Sequence, residues 1–199
     1  MAIGLVLASA SPSRRMLMKN AGLDFEAIPA EIDEREIERG SGGRCLGPVE
    51  LAAELARQKA LDVSRRLPSA VVIGCDQTMS LGDRIFHKPA DIAEARTNLV
   101  LLRGKTHRLN SAVTLARNGA ILWSDVGIAE LTMREFSDAF LDLYLTRMAE
   151  TVLRSVGAYQ LEGEGIQLFE RIEGDYFTIL GLPLLPLLAQ LRELGEIDV

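Results

Sequence analysis

Apolar residues along this chain come in two patterns, short continuous runs and stripes at helical spacing, and their alternation predicts the elements in order. The run Leu5-Val6-Leu7-Ala8 reads as a strand. It leads into Ser9-Ala10-Ser11-Pro12-Ser13-Arg14-Arg15, where Ser11 is placed to cap a helix that has Pro12 at its first position. Between Glu50 and Leu67, the residues Ala52, Leu55, Ala56, Ala60, Val63 and Leu67 share one stripe and predict an amphipathic helix. Lys59, four residues after Leu55, starts beside its buried face. Ala70-Val71-Val72-Ile73-Gly74-Cys75 is a continuously apolar strand of the kind covered on both faces, with Asp76 at its C-terminal end.

Met79 to Ile85, centred on Gly82-Asp83, predicts a hairpin that returns the chain to Phe86-His87-Lys88-Pro89 and brings Lys88 towards Asp76. Asp91 with Glu94 opens a helix that Gly104 stops. Lys105 to Arg117, the Asn118-Gly119 turn and Ala120 to Met133 form the clearest hairpin. Thr132 and Glu135 then resemble a capping box for a helix with Phe136, Phe140, Leu143 and Tyr144 near its buried side. The tail reads as strands Ile166 to Ile172 and Tyr176 to Leu180, followed by a helix from Gly181-Leu182-Pro183 to Leu194. Strands alternating with helices, with hairpins inserted, predict an α/β fold: a mixed twisted sheet with flanking helices over the single domain 1–199.

Composition narrows the function. At 199 residues, 48% hydrophobic and 25% charged, the chain has the makeup of an ordinary globular protein with one core. A formal charge of −6 argues against broad binding to nucleic acid or to an anionic membrane, so an anionic ligand has to be held by a local cluster of Lys and Arg. No apolar run is long enough to cross a bilayer and no cleavable leader is recognisable, so a cytoplasmic protein is expected. Cys45, in the irregular stretch Glu38 to Pro48, and Cys75 read as reduced thiols. That stretch reads as a flexible loop able to close over a ligand.

The polar residues left outside the core suit a polyphosphate ester. A helix N-terminus flanked by Ser9, Ser11, Arg14 and Arg15 is a phosphate grip, with an ordinary capped helix carrying solvated arginines as the plain alternative. Lys59 and Lys88 add cations, and Asp76 at a strand end stands where ligands collect in open α/β sheets. A carboxylate there takes a proton from an attacking water or holds a divalent ion, and Asp33-Glu34 complete a magnesium site. Each has a plainer reading: Asp76 as acceptor for nearby backbone N–H groups, Cys75 as a small buried hydrophobe, Glu162 as a solvated loop charge, and Lys105 and His107 as hairpin-edge residues rather than phosphate ligands. A kinase is disfavoured because the Gly-x4-Gly-Lys-Ser/Thr loop is missing.

These residues together resemble the Maf-like nucleotide pyrophosphatases. Leu7-Ala8-Ser9-Ala10-Ser11-Pro12-Ser13-Arg14-Arg15 is similar to that family's N-terminal signature. The match continues through Asp33-Glu34, Lys59-Ala60, Gly74-Cys75-Asp76-Gln77, Lys88-Pro89, Gly104-Lys105-Thr106-His107, Gly157-Ala158-Tyr159 and Gly181-Leu182-Pro183. The resemblance implies hydrolysis of a nucleoside triphosphate to the monophosphate and pyrophosphate with a divalent cation (Mg, Mn or Co), in a service that clears unusual nucleotides. It also implies a two-lobed α/β fold around a cleft, similar to inosine triphosphate pyrophosphatases, and frequent homodimers. Carried onto this chain, Asp76 is the proton acceptor, Ser9, Ser11, Arg14, Arg15, Lys59 and Lys88 surround the phosphates, and Glu34 joins Asp76 at the metal.

Three positions that the family associates with base choice correspond to Ser13, Gln77 and Glu162. Gln77 and Glu162 are similar to the 7-methyl-GTP branch, in which a glutamate accepts from the N–H groups of guanine. Ser13 departs from it, standing where that branch often carries Trp. A different class of function, a nucleotide-binding regulator of septum formation that acts without hydrolysis, is also associated with the family; it predicts tight nucleotide binding with negligible turnover.

Overall fold

The structure, a computed structural model, describes residues 4–40 and 46–198. Cys45 and the centre of the predicted loop lie outside the described residues. The chain divides into two compact units, one built from residues up to Gln77, Asn110–Ile128 and Asp175 onward, the other from Thr78–Leu109 and Ala129–Gly174. The expected mixed α/β fold is observed, with parallel and antiparallel strand pairs and helices between them.

In the first unit, β1 (Leu5–Leu7) pairs in parallel with β2 (Glu26–Ala27) on one side and with β3 (Val71–Leu81) on the other, and β5 (Thr106–Arg117) and β6 (Ala120–Met133) continue the sheet from β3. Because Leu5, Val6 and Leu7 lie opposite Val71, Val72 and Ile73, side chains of the two strands alternate in step. Leu5, Leu7, Val71, Ile73 and Cys75 pack with Leu17 and Met18 of α1 (Pro12–Asn20) and Leu187 and Leu191 of α7 (Leu184–Glu193). Val6 and Val72 pack with Val63 of α3 (Pro48–Arg66). Helices therefore cover both faces, which is why the strands read as continuous apolar runs. The helix α2 (Glu34–Arg39) and the short α6 (Tyr176–Ile179) complete this unit.

In the second unit, β4 (Arg84–Phe86) returns antiparallel along β3, with Met79 opposite Phe86, as the Gly82-Asp83 turn predicts. The helix α4 (Ile92–Leu102) starts at Asp91, whose side chain accepts from the Glu94 N–H at 2.8 Å. β7 (Phe169–Glu173) pairs antiparallel with β6, and α5 (Asp138–Val152) follows β6 in the chain.

Local signals misled at four points. Thr132 belongs to β6 and shares a hydrogen bond with Thr106; the cap of α5 is Ser137, whose hydroxyl accepts from the Phe140 N–H. Leu143 is half exposed, because starting the helix at Asp138 turns it away from the buried stripe of Leu141, Tyr144 and Leu145. The tail's first strand begins only at Phe169, after a 3-10 turn over Glu164–Leu168. Tyr176 to Leu180 is no strand: Asp175 accepts from the Phe177 and Thr178 N–H groups and caps α6 in its place. Among the described residues no helix is long and apolar enough to cross a membrane.

Candidate active site

Ser11 caps α1 as the sequence predicts, with extended backbone and its Oγ accepting from the Arg14 N–H at 3.4 Å, and Pro12 follows at the first helical position. Successive helical residues point about 100° apart, so the paired arginines diverge. Arg14 is only 9% exposed. Its Nε donates to the Gly181 carbonyl at 2.8 Å, and its Nη1 donates to the Cys75 carbonyl at 3.0 Å and to Ser9 Oγ at 3.2 Å. Among the described residues its Nη2 has no partner, leaving one edge of the fork for an anion. Arg15 is exposed and donates to the Ala10 carbonyl.

Ser9, almost buried, accepts a second hydrogen bond, from the Ser11 N–H at 3.2 Å. With both lone pairs engaged, the hydroxyl proton is what it has left to offer a phosphate oxygen.

Alternation along β3 sends Asp76 to the α3 face and Gln77 to the other. On the α3 side, Lys59 Nζ lies 2.5 Å from Asp76 Oδ1 and 2.6 Å from Glu34 Oε1. Glu34 reaches it from the first position of α2, a helix capped by Asp33, whose Oδ1 accepts from the Glu36 N–H. One ammonium thus bridges two carboxylates, one 12% and the other 55% exposed at the side chain. Burial pushes the Asp76 carboxyl above its ordinary range; Lys59 and Arg14 oppose the shift, and Glu34 adds to it. Cys75, buried on the opposite face of β3, has its thiol pushed up to about 11 by burial and is the inert hydrophobe expected.

Gln77 turns its Nε2 towards Ser111 Oγ at 2.8 Å and towards the carbonyls of Thr178 and Ile179, each at 3.1 Å. Ser111 Oγ donates onward to the Thr178 carbonyl at 2.7 Å. Ser111 was not singled out from the sequence, although Asn110, Ser111 and Thr114, three polar residues in the otherwise apolar stretch Leu109 to Ala116 of β5, are a signal that buried partners must exist. The helix α2, which carries Glu34, gave no apolar stripe to find.

The structure therefore gathers Ser9, Arg14, Glu34, Lys59 and Asp76 in the first unit, with Ser11 and half-buried Ser13 on α1 and Gln77 on the opposite face of β3. Lys88 and Glu162 are exposed residues of the second unit. His107 is fully buried there, against the hydroxyl of Tyr159, so it is neither the solvent-facing residue nor the phosphate ligand weighed from the sequence. A cavity of about 470 Å³ is lined by Leu5, Asp24, Leu188 and Arg192 at the N-terminal end of β1 and contains none of the predicted site residues, which gather beyond the other end of that strand.

A family model described as Maf-like protein matches residues 4–194. The chain is 64% identical over 194 residues to a 7-methyl-GTP pyrophosphatase of Rhizobium etli, covering 98% of each chain. It is 57% identical over 198 residues to a protein of that name from Brucella abortus, covering both in full. A nucleoside triphosphate pyrophosphatase of Bradyrhizobium diazoefficiens is 55% identical over 188 residues, 94% of this chain and 92% of that one. Among solved structures, a HAM1 protein from Coxiella burnetii is similar at a TM-score of 0.41 and 19% identity, over 66% of this chain and 73% of that one.

Proposed function

The chain belongs to the Maf-like family, and from that premise we propose that it is a nucleoside triphosphate pyrophosphatase that cleaves a 7-methyl-GTP-like nucleotide to the monophosphate and pyrophosphate. The observation that carries the reading is the bridge from Lys59 to Asp76 and Glu34 beside a buried Arg14 with one free edge. A carboxylate raised by burial yet held by an ammonium is a proton acceptor at a phosphate-binding place.

In the reaction, a water oxygen attacks the α-phosphorus while Asp76 takes its proton. The bond from that phosphorus to the bridging oxygen breaks, and its electron pair leaves on pyrophosphate. Arg14 Nη2 and the third proton of Lys59 Nζ neutralise phosphate oxygens as charge builds, and Ser9, Ser11 and Arg15 complete the grip. The exposed Lys88 adds a phosphate contact, and Ser13, Gln77 and Glu162 choose the base. The work takes place in the cytoplasm, on nucleotides whose clearance protects the pool, and in a homodimer.

Two cations, Arg14 and Lys59, meet two carboxylates, Glu34 and Asp76, so these four groups leave the charge of a triphosphate uncompensated. Asp76 Oδ2 and Glu34 Oε2 make no hydrogen bond among the described residues and are suitable oxygen donors. A divalent cation such as Mg, Mn or Co fits that donor set, with the substrate's own oxygens filling its shell, and would supply Lewis-acid polarisation of the phosphate. Purified full-length protein with magnesium or manganese should release pyrophosphate, not orthophosphate, from 7-methyl-GTP. Turnover of no nucleotide at all, or undiminished turnover by Asp76→Asn, overturns the reading.

A further inference from the structure

We infer that Ser111 and the last carbonyls of α6 lock the Gln77 carboxamide in one orientation, so that the site accepts at Gln77 only a nucleobase edge that donates N–H. The inference rests on the proposed role of Gln77 in reading the base.

A carboxamide can flip, exchanging its donor and acceptor ends at little cost in shape, and which end faces a ligand is decided by what holds the other. Here the holding side is made of acceptors. The Ile179 carbonyl, at the end of a four-residue helix, has Gln77 as its partner among the described residues, whereas the Thr178 carbonyl also takes the Gly181 N–H at 3.0 Å. Ser111 is fully buried and its proton goes to the Thr178 carbonyl, so towards Gln77 its oxygen offers only a lone pair. Flipped, Gln77 Oε1 would face three acceptor oxygens, none with a proton directed at it, and the Ile179 carbonyl would lose its partner.

Both N–H groups of Gln77 are therefore taken by the protein, and its Oε1 makes no hydrogen bond among the described residues. The amide and Arg14 flank one glycine: a Cβ on Gly181 would sit 3.7 Å from Gln77 Cδ and 3.5 Å from Arg14 Nε. Gly181 has a φ of +94° and no side chain, leaving the space between amide and guanidinium free. A group entering there meets a fixed acceptor. Guanine offers it two adjacent donors, its ring N–H and exocyclic amine, whereas adenine sets its one amine beside an unprotonated ring nitrogen, an acceptor that the fixed Oε1 repels.

The test compares the 7-methyl-GTP to ATP ratio of kcat/KM in full-length wild type, Ser111→Ala, Ser111→Thr and Gln77→Ala. Removing the hydroxyl takes away one of the three acceptors that hold Nε2 and lowers the cost of the flip. Ser111→Ala should then narrow the ratio about tenfold, the scale of one hydrogen bond, chiefly through KM for 7-methyl-GTP, while Ser111→Thr keeps it. An unchanged ratio in Ser111→Ala beside a collapsed one in Gln77→Ala overturns the lock and leaves the base-reading role standing. An unchanged ratio in Gln77→Ala removes that role and the lock together. Should Ser111→Ala fail to fold, solvent exchange of the Gln77 side-chain amide protons in unliganded wild type decides: slow exchange sustains the lock, and exchange as fast as that of an exposed glutamine overturns it.

Discussion

Gly74 and Ala60 approach so closely that a Cβ built on Gly74 would sit 2.6 Å from the Ala60 backbone nitrogen, and closer still to the Ala56 carbonyl oxygen. Both obstacles are backbone of α3, so no rotamer change relieves them. That closeness sets Lys59, the neighbour of Ala60, at hydrogen-bonding distance from Asp76, two residues beyond Gly74. Gly74→Ala should cost about 1–3 kcal/mol in urea unfolding, the scale of an overpacked core, and should also cut pyrophosphate release as the helix carries Lys59 away. Gly4→Ala, where a Cβ meets nothing within 4 Å, is the control and should stay within about 0.5 kcal/mol of wild type. Equal stabilities for the two variants would show that the helix does not depend on this glycine.

The Asp76 carboxyl is raised by burial and held down by Lys59 and Arg14, and this gives the pH profile a sign. As the base it works deprotonated, so activity falls as pH drops through its pKa, at a pH above the ordinary carboxylate range. Removing a group that lowers the pKa moves this limb to higher pH, and removing one that raises it moves the limb lower. Lys59→Met should therefore shift the acid limb of kcat/KM upward and Glu34→Gln shift it downward, whatever the absolute rates. Limbs that stay in place in both variants would mean that another group carries the titration.

Much of this site was legible in sequence because its signals are local. Ser11-Pro12 announces a helix start, the run from Ala70 ends visibly at Asp76, and the stripe in Glu50 to Leu67 places Lys59 beside a buried face. What stayed hidden depends on contacts between distant segments. That Arg14 is a buried strut and Arg15 a surface charge follows from the Gly181 carbonyl, 167 residues away. Tyr176 to Leu180 has the β-branched and aromatic residues of a strand, yet Asp175 caps it into a helical turn, and that turn supplies the carbonyls that hold Gln77. Thr132 and Glu135 match a capping box by spacing alone, but sheet pairing claims Thr132 first.

Arg14 and Arg15 should respond differently to the same conservative change. Lysine has no planar fork, so Arg14→Lys cannot serve the carbonyls of Cys75 and Gly181 and still offer N–H groups to an anion. We expect about 1–3 kcal/mol of lost stability from the unmatched buried carbonyls and at least a hundredfold lower kcat/KM. Arg15→Lys, at an exposed position with one backbone contact, should cost less than tenfold and leave unfolding unchanged. Thermal unfolding and pyrophosphate release measured on both proteins check this, and equal losses would place the two guanidinium groups on the same footing.

In the second unit, His107 makes folding sensitive to acid. The imidazole is fully buried, with Nε2 2.7 Å from the Tyr159 hydroxyl, Nδ1 without a partner among the described residues and the Phe169 ring beside it, and burial lowers its pKa to about 4 from 6.5. Above pH 6.5 the ring is neutral in folded and unfolded chains alike and the full stability is present. Between 6.5 and 4 the unfolded chain takes up a proton that the folded one refuses, so stability is lost steadily as pH falls, by about 3 kcal/mol over the whole window. Below about 4 both states are protonated and this loss stops. The raised pKa of Asp76 acts with the opposite sign, favouring the folded state as pH falls, which makes a difference between two proteins the right measurement. His107→Gln keeps a polar group for Tyr159 and cannot titrate. Its urea midpoint should start below that of wild type at pH 7 and close on it as pH falls from 6.5 to 4, whereas a gap that stays constant across that range would show that His107 does not govern the acid response.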